Sequence, residues 1–214
     1  MTSREKTRSY DSPTRQRQAA ETRARVIAAA HRLFERDGYA GTSVAAIARE
    51  AQVTPPTVYL AFETKAGLLR AVWNRALRGE HDNTPVGEQP WFREVLGEPD
   101  PERKLRLNAR NSRRFKERST DLLRAVRDAA PLDPELARLW ERIQREYRAN
   151  QLEVVKSLGR GGLRKGLSTD RAADILWTLN HPNTWIQLSD VCGWTPAQYE
   201  RWVGDGSCEQ LLAR

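Results

Sequence analysis

The stretch Thr42–Phe62, TSVAAIAREAQVTPPTVYLAF, governs how the rest of the chain is read. Thr42 and Ser43 are helix-capping types. Behind them Val44, Ile47, Ala48 and Ala51 recur at a spacing that gives a short helix one buried side. The pattern breaks at Gln52, and two adjacent prolines follow, Pro55 and Pro56. Inside a helix each proline would remove a hydrogen bond and clash with the preceding turn, at a cost of about 3 kcal/mol. In a first turn the N–H groups have no intrahelical acceptor, so nothing is lost there. The spacing therefore predicts a third helix capped by Thr54, with Pro55 at its boundary and Pro56 just inside, because a residue preceding proline is pushed from helical angles. Ala48 is small where two helices would cross, Val53 is apolar in the turn, and Val58 is placed to pack back. A helix-turn-helix needs this arrangement, and three core helices of another bundle would carry the same pattern.

On the N-terminal side, Val26, Ile27, Ala30, Leu33 and Phe34 mark a first helix from Arg15, and Gly38 stands where a left-handed C-terminal cap would sit. Residues 1–14 mix small, polar and basic types without apolar periodicity and are read as a disordered arm. On the other side, Thr64 is placed to cap a fourth helix, Lys65 to about Arg78, with Leu68, Leu69, Val72 and Trp73 inward. GEHDNTPVGEQP, 79–90, reads as a linker. Beyond it a helix over Pro101–Ser119 carries Leu105, Asn108, Ser112 and Phe115 on one stripe, and a separate helix covers Thr120–Ala129. A long helix opened by Asp133–Glu135 carries Leu136, Leu139, Trp140, Ile143, Tyr147, Gln151, Val154 and Leu158. Ser168, Pro182 and Thr195 open the last three helices; Gly204 and Gly206 are expected to kink the last or end it early. GRGGLRKG, 159–166, follows a helix and lacks a phosphate loop's GK[ST] ending, so it is a connection. No β-type alternation or internal repeat occurs, and the fold class is all-α.

The chain has 214 residues, 39% hydrophobic and 30% charged, enough for a small binding module plus a larger domain. Its net charge of +8 is unevenly spread: Met1–Glu80 holds 14 Lys/Arg against 8 Asp/Glu, and the remainder 22 against 20. An acidic partner for the N-terminal third follows. No apolar run approaches the ~20 residues that span a bilayer and no secretory leader is visible, so a cytoplasmic protein without membrane contact is expected. Cys192 and Cys208 show no paired spacing and are read as packing thiols. His31, His81 and His181 lack metal-ligand spacing with either, and no catalytic motif occurs. The chain is expected to be no enzyme and to need no metal or cofactor.

FERDGYAGTSVAAIAREAQVTPPTVYLAFETKAGLLRAV, Phe34–Val72, resembles the DNA-binding domain of the TetR (tetracycline repressor) family of bacterial transcriptional regulators, through the F…GY.GTSV, IA…A.V and TVY..F..K..LL elements. ADILWTLNHPNTWIQLSDVCGWTPAQYERWV, 173–203, is similar to a segment common among its members. The resemblance implies a helix-turn-helix DNA-binding domain over 15–63, a linking helix over 64–80, and an effector-binding and dimerisation domain over 81–214. It further implies a homodimer on double-stranded DNA, a repressor released from a palindromic operator by a small-molecule effector. Thr42, Ser43, Thr54, Thr57, Tyr59 and Lys65 would contact phosphates, and Pro55 and Pro56 would meet base edges, where proline offers only apolar contact to thymine methyls.

Two positions depart from the family pattern. Ala45 stands where many members place a polar or basic side chain, and Gln52 where many place glycine. Thin direct readout keeps a second function open, an effector-independent and weakly specific DNA-binding protein. Arg15 and Arg17, next to the arm, are candidates for the minor groove; a solvated basic tail would look the same. For the effector, Asn108, Ser112, Gln151 and Asn180 interrupt apolar stripes near Trp140, Trp177 and Trp185, as cavity-lining or as satisfied core groups. Arg103–Arg118 holds eight Lys/Arg and one Glu, a solvated face or an attraction for an anion or for the DNA-binding domain.

Overall fold

Ser43 starts the second helix as the local chemistry requires: its hydroxyl accepts the Ala46 N–H at 3.1 Å, supplying one of the acceptors a helix N-terminus lacks. The computed structural model describes residues 13–78, 86–159 and 161–213, and the chain divides into two compact units, Met1–Val72 and Trp73–Arg214. In the first unit α1 is Pro13–Gly41, α2 Val44–Glu50 and α3 Pro55–Phe62; α4, Lys65–Arg78, begins in it and ends in the second. Val26, Ala29, Ala30, Leu33 and Phe34 of α1 close over Ile47 and Ala48 of α2, Val58 and Phe62 of α3, and Leu68, Leu69 and Val72 of α4, all buried.

Gly38, at φ 68 and ψ 177, has left the helical conformation and ends the long part of α1 as expected, with one short turn to Gly41 beyond the break. Two local expectations change. Pro55 and Pro56 both lie inside the first turn of α3. Thr54 holds the N-cap position, but its hydroxyl meets Thr57 Oγ1 at 2.9 Å and caps no backbone N–H. Most of the arm lies outside the described residues, and 13 and 14 are helical.

In the second unit, α5 is Pro90–Gly97, α6 Pro101–Ala129, α7 Pro134–Lys156, α8 Thr169–Leu179, α9 Pro182–Ile186 and α10 Pro196–Leu211. The residues read as a linker lead, after the undescribed 79–85, into a 3-10 turn over Val86–Glu88 and then α5, which buries Phe92 and Val95. α6 is one helix, not two. The Ser119 hydroxyl donates to the Phe115 carbonyl and that of Thr120 to the Lys116 carbonyl, so both are absorbed one turn back and neither caps a new helix. A single π turn, Gln187–Val191, follows α9. α10 opens on a full capping box between Thr195 and Gln198 and runs unbroken through Gly204 and Gly206. A Cβ added at Gly204 would stand 3.5 Å from Arg106 Cγ, an ordinary contact, so it is the packing of α10 on α6 and not a need for glycine that carries the helix through both positions.

Phe92, Val95, Leu105, Val154, Val155, Leu158, Ala172, Leu176 and Leu211 form one core, and Ala109, Trp185, Tyr199 and Val203 a second. Cys192 is exposed and so does not pack as expected; Cys208 is half-buried. No described helix is long and apolar enough to cross a membrane.

Candidate nucleic-acid interface and effector pocket

The turn between α2 and α3 rests on Gln52 at φ 56, a left-handed backbone that costs a non-glycine residue about 1–2 kcal/mol. The Val53 N–H bonds the Ala48 carbonyl at 2.9 Å, and α3 leaves the turn with Val58 and Phe62 buried. Its other face is exposed: Thr54, Pro55, Pro56, Tyr59 at 51% and Leu60 at 89%. Pro55 with Tyr59, and Pro56 with Leu60, are four apart and share that face. Leu60 was not singled out by sequence reasoning. A lone leucine between two apolar neighbours carries no signal until the helix is rotated into its packing.

The phosphate candidates separate into two groups. Ser43, Thr54 and Tyr59 are exposed and Thr57 is half-buried, so their hydroxyls can reach an oxyanion beside the N-termini of α2 and α3. Thr42 is 2% exposed and its hydroxyl donates to the Leu33 and Gly38 carbonyls, at 3.0 and 2.7 Å, so the side chain is structural and not a phosphate ligand. Lys65 is likewise engaged. Its Nζ donates to the Tyr39 carbonyl at 2.9 Å and the Thr42 carbonyl at 3.0 Å, and sits 4.0 Å from the Tyr39 ring centre. Burial pushes its pKa down. Lys65 thus clasps the start of α4 to the α1–α2 junction, where open phosphate contact was expected. Arg23 does similar work: it donates to the Ala61 carbonyl at 2.6 Å and lies 4.2 Å from the Phe62 ring centre, stapling α1 to the end of α3. Arg15 and Arg17 are exposed on the first turns of α1, helical and not in an extended arm.

Within the second unit a pocket of about 50 Å³, partly open to solvent, is walled by Trp73, Leu77, Phe115, Leu123 and Ile143, with Lys116, Glu146, Tyr147 and Asn150 supplying its polar groups. None of the seven candidates from the sequence is in that wall. Asn108 and Gln151 are buried and bonded to each other at 2.9 Å. Ser112 bonds Tyr147 Oη at 2.7 Å, and the buried Asn180 receives the Tyr147 hydroxyl on its carbonyl at 2.8 Å. Trp185 packs edge-on to Tyr199, Trp177 does so to His181, and Trp140 is half-buried elsewhere on α7. Asn108 and Gln151, and Ser112 and Tyr147, satisfy one another in the core, whereas the buried Asn180 Oδ1 and Trp177 Nε1 have no partner among the described residues. Asn108, Ser112, Trp140 and Gln151 share α6 and α7 with the pocket wall but lie on other faces of those helices, and Trp177 belongs to α8, which lends the wall no residue.

Lys116 is the unusual member of the wall. It is 1% exposed, and its ammonium donates to the Ser112 hydroxyl and, at 3.1 Å, to Tyr147 Oη. Desolvation holds its pKa well below the usual lysine value, and burial pushes those of Tyr147 and Tyr199 up.

Residues 26–72 match the family model described as bacterial regulatory proteins, tetR family. The chain is 27% identical over 198 residues to the HTH-type transcriptional regulator TtgR of Pseudomonas putida, a match that covers 88% of this chain and 91% of that protein. NalD of Pseudomonas aeruginosa, the secondary repressor of the MexAB-OprM multidrug efflux pump, has the same fold at a TM-score of 0.64 and 22% identity, over 89% of this chain and 96% of that one. SmeT in its complex with triclosan matches at a TM-score of 0.69 and 19% identity, over 89% and 91%. Residues 26–72 are a DNA-binding domain of the TetR type, and over most of its length the chain is similar to transcriptional regulators of that family.

Proposed function

We propose that this regulator is a homodimeric repressor that leaves a palindromic operator when a small effector with an apolar body occupies the pocket of its second unit. The observation that carries the reading is the pairing of an exposed helix-turn-helix face with a separate apolar-walled pocket, Trp73, Phe115 and Ile143, on the same chain. NalD is a repressor and SmeT binds triclosan, and both share the fold. Residues 15–63 read the DNA, 64–80 link, and 81–214 hold the effector and the dimer contact. Ser43, Thr54, Thr57 and Tyr59 fix α3 on phosphates, Arg15 and Arg17 add charge to the backbone, and Pro55, Pro56 and Leu60 touch thymine methyls. Two reading heads on one dimer require half-sites about 34–36 Å apart or a multiple of that spacing. The effector acts by binding the DNA-incompetent state better, with displacement of α4 as the link, since Lys65 and Trp73 belong to one helix.

A second reading is favoured by Ala45 and the apolar face of α3, which offer few base-edge hydrogen bonds: a weakly specific DNA binder indifferent to effectors. A competition gel shift at fixed salt separates the two. The repressor reading expects a specificity ratio of ~10³ or more for the operator over random DNA. It also expects triclosan, or another apolar compound seated in the pocket, to lower operator affinity. A ratio near one, or operator affinity indifferent to a bound pocket ligand, overturns it.

A further inference from the structure

The second unit buries two lysines, and they are treated oppositely. Lys104, 3% exposed, gives its ammonium to the Leu96 carbonyl at 3.1 Å, the Ser157 carbonyl at 2.6 Å and Ser157 Oγ at 2.9 Å. Two of these acceptors lie at the C-terminal ends of α5 and α7, where helix dipoles favour a cation. Its charge has a structural purpose. Lys116 receives no such setting. Its partners are two neutral hydroxyls, of Ser112 and Tyr147, and the faces of Tyr147 and Tyr199, whose ring centres lie 5.6 and 5.3 Å from Nζ. Among the described residues no carboxylate comes within salt-bridge distance of it. A buried cation without a counter-charge is costly, and replacing it by an apolar side chain of similar volume commonly stabilises a fold. Lys116 is also the one of the two that lines the pocket.

We infer that the pocket takes an aromatic acid, with its apolar body against Trp73, Phe115, Leu123 and Ile143 and its ionised oxygen paired with the ammonium of Lys116. This deepens the proposed effector site and rests on it. The remaining polar groups of the wall agree with the orientation. Glu146 would repel an anion, but its side chain is 49% exposed and lies 3.9 Å from Arg142, so the acid group belongs at the buried end. The Tyr147 hydroxyl donates to the Asn180 carbonyl, leaving its oxygen as an acceptor that holds the ammonium in place. The other titratable groups around Lys116 are Tyr199, which burial keeps protonated, and His181, whose pKa burial and the Lys116 charge both lower. None supplies the missing negative charge; a ligand would.

The test compares benzoate with its neutral isostere benzamide by isothermal titration calorimetry on the full-length protein without DNA. The expected result is at least tenfold tighter binding of the acid than of the amide, and an affinity for the acid that falls with rising pH as Lys116 loses its proton, while affinity for the amide stays flat. In Lys116→Met the preference should vanish or reverse; a merely structural lysine would alter stability and leave the preference intact. Equal affinities in the wild type, a preference that survives Lys116→Met, or no binding of either probe overturns the inference. Should the variant fail to fold, the wild-type comparison and its pH dependence decide alone. Acid-selective binding by a protein that binds no operator would sustain the pocket and sink the repressor reading; operator release by neutral ligands alone would do the reverse.

Discussion

Lys65 and Lys116 show how far a lysine's purpose depends on what surrounds its nitrogen. Lys65 is bonded to two carbonyls at the α1–α2 junction, so removing its charge should act on folding and not on DNA. Lys65→Met is expected to lower unfolding stability by about 1–3 kcal/mol, since two buried carbonyls lose a charged donor. The slope of log affinity against log salt for operator DNA should stay unchanged; denaturant melts and salt-titrated gel shifts measure the two separately. Lys116 governs a pH effect. Its native pKa lies below the unfolded value of about 10.4, so between the two the unfolded chain binds the extra proton and stability rises with pH. His181, also pushed down, adds the same sign below about pH 6.5. Tyr147 and Tyr199, pushed up, oppose it only above about pH 10. The thermal midpoint should therefore climb from mildly acid to alkaline pH in wild type, with Lys65 and Lys104, also pushed down by burial, adding to the alkaline part, and Lys116→Met should be more stable at neutral pH and flatten that part without abolishing it.

At the scale of elements, the join between α3 and α4 is tighter than its composition suggests. Glu63 takes φ 65, and the Thr64 hydroxyl accepts the Gly67 N–H at 2.8 Å, the cap expected for α4. A Cβ on Gly67 would stand 2.4 Å from the Phe62 carbonyl oxygen, so this position requires glycine for space. Gly67→Ala is expected to destabilise the protein by about 1–3 kcal/mol, the usual cost of overpacking, despite alanine's better helix propensity. A urea melt unchanged by the substitution would contradict the crowding. The starts of most helices were legible because their signals are local: Ser43, Asp133, Ser168 and Thr195 each accept a backbone N–H within three residues. The continuity of α6 and α10 was not, since the Ser119 and Thr120 hydroxyls can cap a new helix or bond back one turn, as they do, and Gly204 and Gly206 break a helix or join it according to what packs against it.

For the whole molecule, the charge excess of the N-terminal third makes DNA affinity steeply salt-dependent. Arg17 is exposed on α1. As a phosphate contact it carries a specific expectation: Arg17→Ala should weaken binding to all sequences alike and reduce the salt slope by about one. Tyr59→Phe should likewise weaken binding uniformly, and a change of base preference at one operator position would contradict its phosphate role. Leu60→Ala belongs to the other class, costing affinity only where a thymine methyl is present.

Capping residues, prolines and apolar spacing by themselves determined that this chain is all-helical and where most of its helices begin; that Phe34–Val72 holds a helix-turn-helix of the TetR kind came from the resemblance of its motifs to that family. These signals act over three or four residues and survive without a partner. Tertiary structure alone decided which hydroxyls and ammonium groups remain available. Thr42 and Lys65 were consumed by backbone carbonyls, Asn108 and Gln151 by each other, and the pocket fell to Trp73, Phe115, Lys116 and Tyr147. A polar atom's role depends on acceptors brought to it from distant parts of the chain, and no local spacing encodes them.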